Sequence, residues 1–248
     1  FVHGCDLADA IAFGTSTAEA ASMDPQQRLV LEHGYLALHT AAMDRATLDA
    51  SFTGIFLGIA LSDFKDTRGH QGGVYAATGT AHAIASGRLA YVLNLRGPSI
   101  SYDTACSAAL VAAQASARAL QLQECNVGLA MGVMVMLIPS PGLMFAAAGM
   151  TSPGGRSNTF DKRADGYARG EACGGITMVL SGDQSGLVIC GSAIRQDGRS
   201  ASLTAPNGQE QQSMLIAALH NAGIDAGMLA LIEAHGTGTA LGDPIEVG

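Results

Sequence analysis

Charge is scarce in this chain. Asp, Glu, Lys and Arg together make up 14% of its 248 residues, against 48% apolar residues. A chain so composed can bury a sizeable core, which argues against intrinsic disorder. Basic residues are the scarcer sign, 13 against 21 acidic, for a formal net charge of −8. That balance argues against general nucleic-acid binding, because a phosphate backbone is held by clustered Lys and Arg. None of the five cysteines (Cys5, Cys106, Cys125, Cys173 and Cys190) stands in CxxC spacing, and their number is odd. Neither a zinc site nor a disulfide scaffold is expected. Such cysteine usage fits a reducing compartment: the cytoplasm, or an organelle such as a plastid. The chain opens on Phe1 without an initiator Met, a charged leader or a signal-like apolar stretch, so it is expected to start inside a longer protein. No Gly-x-Gly-x-x-Gly follows a strand and no P-loop lysine is present, which sets nucleotide binding aside. Short-period repeats and low-complexity linkers are missing too. The length suits one large domain or two small ones.

What is there alternates between helix-like and strand-like stretches. Asp24-Pro25 opens a helix running to about Ala42, with Asp24 as N-cap, Pro25 in the first turn, and Leu29, Leu31, Leu36 and Leu38 as its apolar residues. Residues 53–60 read as a strand, 62–73 as a polar loop and 80–93 as a small-residue helix. An extended run over 97–102 leads into a helix over 106–122. Residues 127–150 carry no charge and are long enough to span a bilayer, but Pro139, Pro141 and four glycines interrupt them. The reading is no membrane span: a buried central strand over 127–138, then a buried loop with a short helix. Residues 151–170 form a polar, Gly-rich loop. Strands are expected at 176–180, 187–194 and 229–234, and a helix at 207–222. Several of these strands are apolar throughout, which implies α/β sheets covered on both faces.

Two stretches carry chemistry. Asp103-Thr104-Ala105-Cys106-Ser107 places a cysteine where a strand becomes a helix. Unpaired N–H groups and the helix dipole there favour a thiolate nucleophile. Ser107 is a weaker rival, because a hydroxyl needs an adjacent base. Cys125 and Cys190 lie in or beside apolar runs and read as core. Glu233-Ala234-His235-Gly236-Thr237-Gly238-Thr239 puts a histidine at the carboxyl end of an apolar run, ahead of a small-residue loop. Ligands in α/β folds gather at such ends. Together the two suggest a Cys–His acyl-transfer site. The other histidines have no ligand spacing. The charged stretch 161–171 reads either as a solvated loop or as a buried salt-bridge network.

These motifs, with Asp24-Pro25-Gln26-Gln27-Arg28, Phe160-Asp161 through Glu171, and Gly242-Asp243-Pro244-Ile245-Glu246 in this order, resemble the β-ketoacyl synthase (ketosynthase) domain of type I polyketide synthases over nearly the whole chain. The resemblance implies a thiolase-like fold of two stacked α/β halves in five layers, αβαβα. Residues 1–180 would form the nucleophile half and 187–248 the start of the second half, with a shortened link over 181–186. It implies truncation at both ends: a first strand before Phe1, and a second catalytic histidine and a glycine-rich oxyanion loop beyond Gly248. Ala108 and Ala109 stand where serines are commoner.

The resemblance also implies a reaction: acyl transfer to Cys106, then decarboxylative condensation with a malonyl-type extender assisted by His235, making polyketides or fatty acids. Thr237 and Thr239 would hydrogen-bond a phosphopantetheine arm. No dissociable cofactor or metal is implied. The implied partners are an acyl carrier protein, a second copy in a homodimer and other domains of a multidomain synthase. The alternatives are a non-condensing module that binds or passes acyl chains and, from another class, a Cys–His hydrolase. The hydrolase would need an orienting Asn or Asp beside His235, for which there is no signature.

Overall fold

A computed structural model describes residues 2–5, 7–67, 73–180 and 186–248. The elements in chain order are α1 (Thr17–Ser22), α2 (Pro25–Thr40), α3 (Arg45–Leu48), β1 (Thr53–Ile59), α4 (Phe64–Thr67), α5 (Ala76–Thr80), α6 (His82–Val92), β2 (Ser99–Tyr102), α7 (Ala108–Gln121), β3 (Val127–Met134), α8 (Ser140–Ala147), β4 (Ala172–Val179), α9 (Gly208–Ala222) and α10 (Gly242–Val247). They fall into two compact units. One comprises Phe1–Ile138 with Gly170–Gly182, the other Pro139–Arg169 with Asp183–Gly248.

The first unit is built on a four-stranded sheet in the order β2-β1-β3-β4. Strand β1 runs parallel to both β2 and β3, whereas β4 is antiparallel to β3. All seven residues of β1 are buried, as a central strand covered on both faces requires. The pleat sends alternate side chains to opposite faces. Ile55, Leu57 and Ile59 pack with Leu129, Met131 and Val133 against Leu29, Val30, Leu38 and Leu89 of α2 and α6. Phe56 faces the other way, toward Ala112, Ala119 and Leu120 of α7. The result is three layers, α2 and α6 over the sheet over α7. Each buried Ile, Leu or Phe contributes about 1.5–3 kcal/mol.

Helix α2 starts as its sequence predicts. Asp24 Oδ1 accepts from Gln26 N at 2.8 Å, and its Oδ2 accepts from Ser62 Oγ at 2.7 Å. Leu29, Leu31 and Leu38 are buried, but Leu36 is on the exposed side. The helix expected over 80–93 breaks at Ala81, which is extended (ψ 127°). Gln27 of α2 explains the break: its Nε2 donates to the carbonyls of Thr78 and Ala81, which a continuous helix would need for itself. Strand β3 stops at Met134, short of Ile138. The amides of Met136 and Leu137 instead donate to Glu171 Oε1 (2.8 Å) and Asp63 Oδ2 (3.1 Å).

The second unit holds α8, α9 and α10 joined by loops, and the described residues include no strand there. Residues 187–194 and 229–234, expected as strands, belong to no sheet. A strand exists only by pairing, and neither run has a ladder partner among the described residues. Leu187 and Leu231 are exposed. The first run lies against α9: Ser192 N donates to Asn221 Oδ1 at 3.0 Å, and a Cβ on Gly191 would meet Ala222 N at 2.4 Å. Cys190 is therefore exposed, not core, whereas Cys125 is buried as expected. Helix α8 buries only Pro141, so the stretch read as a buried loop with a short helix is mostly exposed. No helix among the described residues is long and apolar enough to cross a membrane. The link over 181–186 lies outside the described residues except for Gly186, as do residues 68–72 of the stretch expected as a polar loop, of which Phe64–Thr67 forms α4.

Candidate active site

Cys106 belongs to the first unit; His235, Thr237 and Thr239 belong to the second. Cys106 sits in a tight 3-10 turn, Ala105–Ser107, between β2 and α7, and it is exposed. The turn begins with Ala105 at φ +54°, a left-handed conformation that a residue with a Cβ adopts only at a cost of about 1–2 kcal/mol. It is fastened locally. Ala105 N donates to Asp103 Oδ1 at 3.2 Å, and the Thr104 and Ser107 hydroxyls lie 2.9 Å apart. Ser107 Oγ also donates to the Thr104 carbonyl at 3.0 Å. Ser107 is thus engaged in shaping the turn, and the thiol is the side chain the turn presents.

Small residues fix the height of this turn over the sheet. Helix α7 faces the sheet with Ala108, Ala112, Ser116 and Leu120, at successive i, i+4 positions. Its first turn lies on Gly58 of β1, where a Cβ would come within 2.5 Å of the Ala108 carbonyl carbon and the Ala109 nitrogen. On β3, a Cβ at Gly132 would lie 2.7 Å from the Ala109 methyl. Ala108 and Ala109 are where the resemblance leads one to expect serines. Of the two, Ala108 is buried and Ala109 is exposed, its methyl turned toward Gly132.

The histidine loop is held by backbone bonds to carboxylates. Glu246 on α10 accepts from the amides of both His235 and Gly236, the latter at 2.8 Å. Asp243, 5% exposed, accepts from Gly238 N at 2.9 Å and from Phe160 N at 2.7 Å. Thr159 Oγ1 donates to the Gly236 carbonyl at 2.5 Å, and Gly166 N donates to the Gly238 carbonyl at 2.9 Å. Gly236 and Gly238 both have positive φ, +55° and +71°. Added Cβ atoms there would meet Thr159 Cγ2 at 2.7 Å and Asn158 N at 2.9 Å. Only glycine gives the loop this path so close to the 158–166 segment. His235 itself is exposed. The Thr237 and Thr239 hydroxyls are 3.1 Å apart, and Thr239 Oγ1 also accepts from Gly242 N at 3.0 Å.

Asp243, Glu246 and Thr159 had no role assigned from sequence. The readable signal was Gly-Asp-Pro-Ile-Glu, which places two carboxylates three residues apart and so on one side of a helix. The 161–171 stretch is a solvated loop at its start, not a buried network. Arg163 holds Asp161 in an exposed pair at 2.8 Å, and these hydrogen bonds hold the Asp161 carboxyl down to about 2. Glu171 is different: its carboxylate accepts from Val2 N and Met136 N. Burial works to raise the Glu171 carboxyl, yet the bonds from the Met136 and Val2 amides leave it below its ordinary value. Among the described residues no cluster of three or more His, Cys, Asp or Glu could hold a metal.

Comparison with known proteins identifies the class. The family model described as "Beta-ketoacyl synthase, N-terminal domain" matches residues 1–185, and its C-terminal counterpart matches residues 187–248. The chain belongs to the β-ketoacyl synthase family. It is 43% identical, over 99% of its length, to one of the phenolphthiocerol/phthiocerol polyketide synthase polypeptides of Mycobacterium tuberculosis. To a second polypeptide of that synthase, from the same organism, it is 40% identical over 96% of its length. It spans 14% and 16% of those two polypeptides. Among solved structures, the ketosynthase from module 6 of the bacillaene synthase of Bacillus subtilis superposes with a TM-score of 0.91 at 34% identity. An oxazolomycin ketosynthase domain from Streptomyces albus gives 0.91 at 32%. Each match covers 99% of this chain and 44% of the solved one. The fold is thus that of the polyketide ketosynthases, which is thiolase-like, and the family consists of acyltransferases that form carbon–carbon bonds.

Proposed function

We propose that this chain is the nucleophile-bearing part of a polyketide β-ketoacyl synthase. Residues 1–180 form its N-terminal half and 187–248 open its C-terminal half. The Cys106 thiolate attacks the carbonyl of an acyl thioester carried on the phosphopantetheine arm of an acyl carrier protein. The tetrahedral oxyanion is stabilised by the Cys106 backbone N–H in the turn that leads into α7. Collapse expels the carrier thiolate and leaves an acyl-Cys106 thioester. A malonyl-type thioester then loses CO2. His235 donates a hydrogen bond to the thioester oxygen as the enolate forms. The enolate carbon attacks the acyl-Cys106 carbonyl, the Cys106 thiolate departs, and a β-ketoacyl thioester remains on the carrier. Thr237 and Thr239 hydrogen-bond the pantetheine amides, and no dissociable cofactor takes part.

The observation that carries this reading is the presentation of Cys106: an exposed thiol in a strained turn at the N-terminus of a 14-residue helix seated directly on glycine. Strain and dipole of this kind gather at functional sites. A homodimer is supported by β2, which pairs only with β1 among the described residues and leaves its outer edge and Ile100 exposed. Five free cysteines support residence in a reducing cytoplasm. The other domains of a multidomain synthase are the remaining partners.

The test is intact-mass analysis after incubation with an acyl-pantetheine thioester, with Cys106→Ala alongside. An acyl adduct on Cys106 that disappears in the variant is expected. A β-ketoacyl product on adding malonyl carrier protein distinguishes the condensing reading from an acyl-passing module. An adduct on another residue of the folded protein defeats the assignment.

A further inference from the structure

We propose that Glu246, acting with Asp243 one turn earlier on α10, is a positioning residue for His235. The proposal rests on the reading above, in which His235 assists decarboxylation. Both carboxylates are spent on backbone amides. Glu246 takes the N–H groups of His235 and Gly236, and Asp243 takes those of Gly238 and Phe160. Three of the four consecutive amides from His235 to Gly238 are therefore held by two side chains of one short helix. The spacing of three residues puts both carboxylates on one side of that helix. Hydrogen bonds to an ionised acceptor are stronger and shorter than neutral ones. A two-oxygen grip on successive amides fixes the direction of the chain as well as its place.

The histidine needs such support. Gly236 and Gly238 lie on either side of Thr237 at positive φ, which glycine adopts as readily as negative φ. A His-Gly-Thr-Gly segment left to itself would sample many conformations. The carboxylates offset that freedom at the residues where it is greatest. Glu246 touches neither thiol nor substrate in this role; it acts through the backbone of His235.

The test uses the intact synthase that carries this chain, with two readouts from one preparation. The first is single-turnover acylation of Cys106 by an acyl-pantetheine thioester, which does not use His235. The second is CO2 release from malonyl-pantetheine, which does. Glu246→Gln removes the charge and turns an amide donor toward one of the two backbone donors. A misplacement of about 1 Å costs about 100-fold, so CO2 release should fall by about that factor while acylation stays within about twofold. Glu246→Asp keeps the charge but withdraws it by one methylene. It should show the same selective loss, and it decides the matter should the Gln variant not fold. CO2 release at the parent rate in a folded variant overturns the proposal. So does an equal loss of both half-reactions, which would mark Glu246 as merely structural. His235→Ala separates the two levels: if that variant still releases CO2 at the parent rate, the role of His235 itself fails, whatever Glu246 does.

Discussion

Gly58→Ala is the sharpest probe of how Cys106 is held. The new methyl would lie 2.5 Å from the Ala108 carbonyl carbon and the Ala109 nitrogen, and 2.7 Å from the Ala108 oxygen. These are backbone atoms in the first turn of α7, so no rotamer change relieves the contact. Ordinary contact begins at 3.4 Å, and the helix start must therefore lift by about 0.9 Å. Two effects oppose each other. Replacing glycine stiffens the unfolded chain and stabilises by about 0.4–1 kcal/mol, whereas overpacking a core costs about 1–3 kcal/mol. Overpacking wins, and the melting temperature should drop by about 2–8 °C for a chain of this size. The same lift moves Cys106, so acylation by a pantetheine thioester should slow by about 100-fold. Alkylation by iodoacetamide, a small reagent that needs no positioning, should change little. Gly174→Ala is the internal control: Gly174 also lies in the sheet, on β4, but a Cβ there meets nothing within 4 Å. Thermal melts of both variants, with acylation followed by intact mass, make the comparison. If Gly58→Ala melts no lower than Gly174→Ala and acylates normally, α7 is not seated on β1 as described.

Two further outcomes follow from burial. Alkylation mapped by peptide mass at pH 8.5 should label the exposed Cys106 and Cys190 first, the half-buried Cys173 more slowly, and spare the buried Cys125. Burial raises both of the latter thiols, Cys173 from the ordinary 9.0 to about 12. Because that value is raised, the neutral thiol of Cys173 is the native form: its contribution to stability is complete below pH 9 and fades as pH climbs toward 12. Labelling of Cys173 as fast as that of Cys106 at pH 8.5 would contradict the desolvation of its thiol. The second outcome concerns Ser116, whose buried hydroxyl has no hydrogen-bond partner among the described residues and would sit 2.1 Å from a Cβ on Gly128. Ser116→Ala should leave the melting temperature unchanged or raise it, since an unsatisfied buried group costs about 1–3 kcal/mol. Gly128→Ala should destabilise by about 1–3 kcal/mol alone and by much less in the Ser116→Ala background, where the remaining Ser116 Cβ lies at an ordinary 3.4 Å. Additive melts from the four proteins of this cycle would show that the two positions do not touch.

Local features were the ones legible in the sequence. Asp24 and Pro25 announce α2, because an N-cap and a first-turn proline act within three residues of themselves. The strand–cysteine–helix order around Cys106 is likewise a matter of neighbours along the chain, and so are the glycines flanking Thr237. Helix ends decided from a distance were not legible. Nothing between residues 80 and 93 says that Gln27 will take two carbonyls and part α5 from α6. Nor does 127–138 reveal that Glu171 and Asp63 will claim the amides past Met134.

Residue order alone carries the chemistry on offer: a thiol at a helix start, a histidine before a glycine-rich loop, and an apolar pattern that demands covered sheets. Those depend on residue type and short spacing, which the chain carries in its order. Which apolar runs became strands was settled by long-range pairing, since 53–59 found two parallel neighbours and 187–194 and 229–234 found none among the described residues. The fold alone decided that Asp243 and Glu246 hold the His235 loop, and that Gly58 and Gly132 set the height of Cys106 over the sheet. The physical reason is the same in each case. Ladder bonds, bonds from side chain to distant backbone and close packing join atoms that are far apart along the chain, and their energies exist only once the fold brings those atoms within reach.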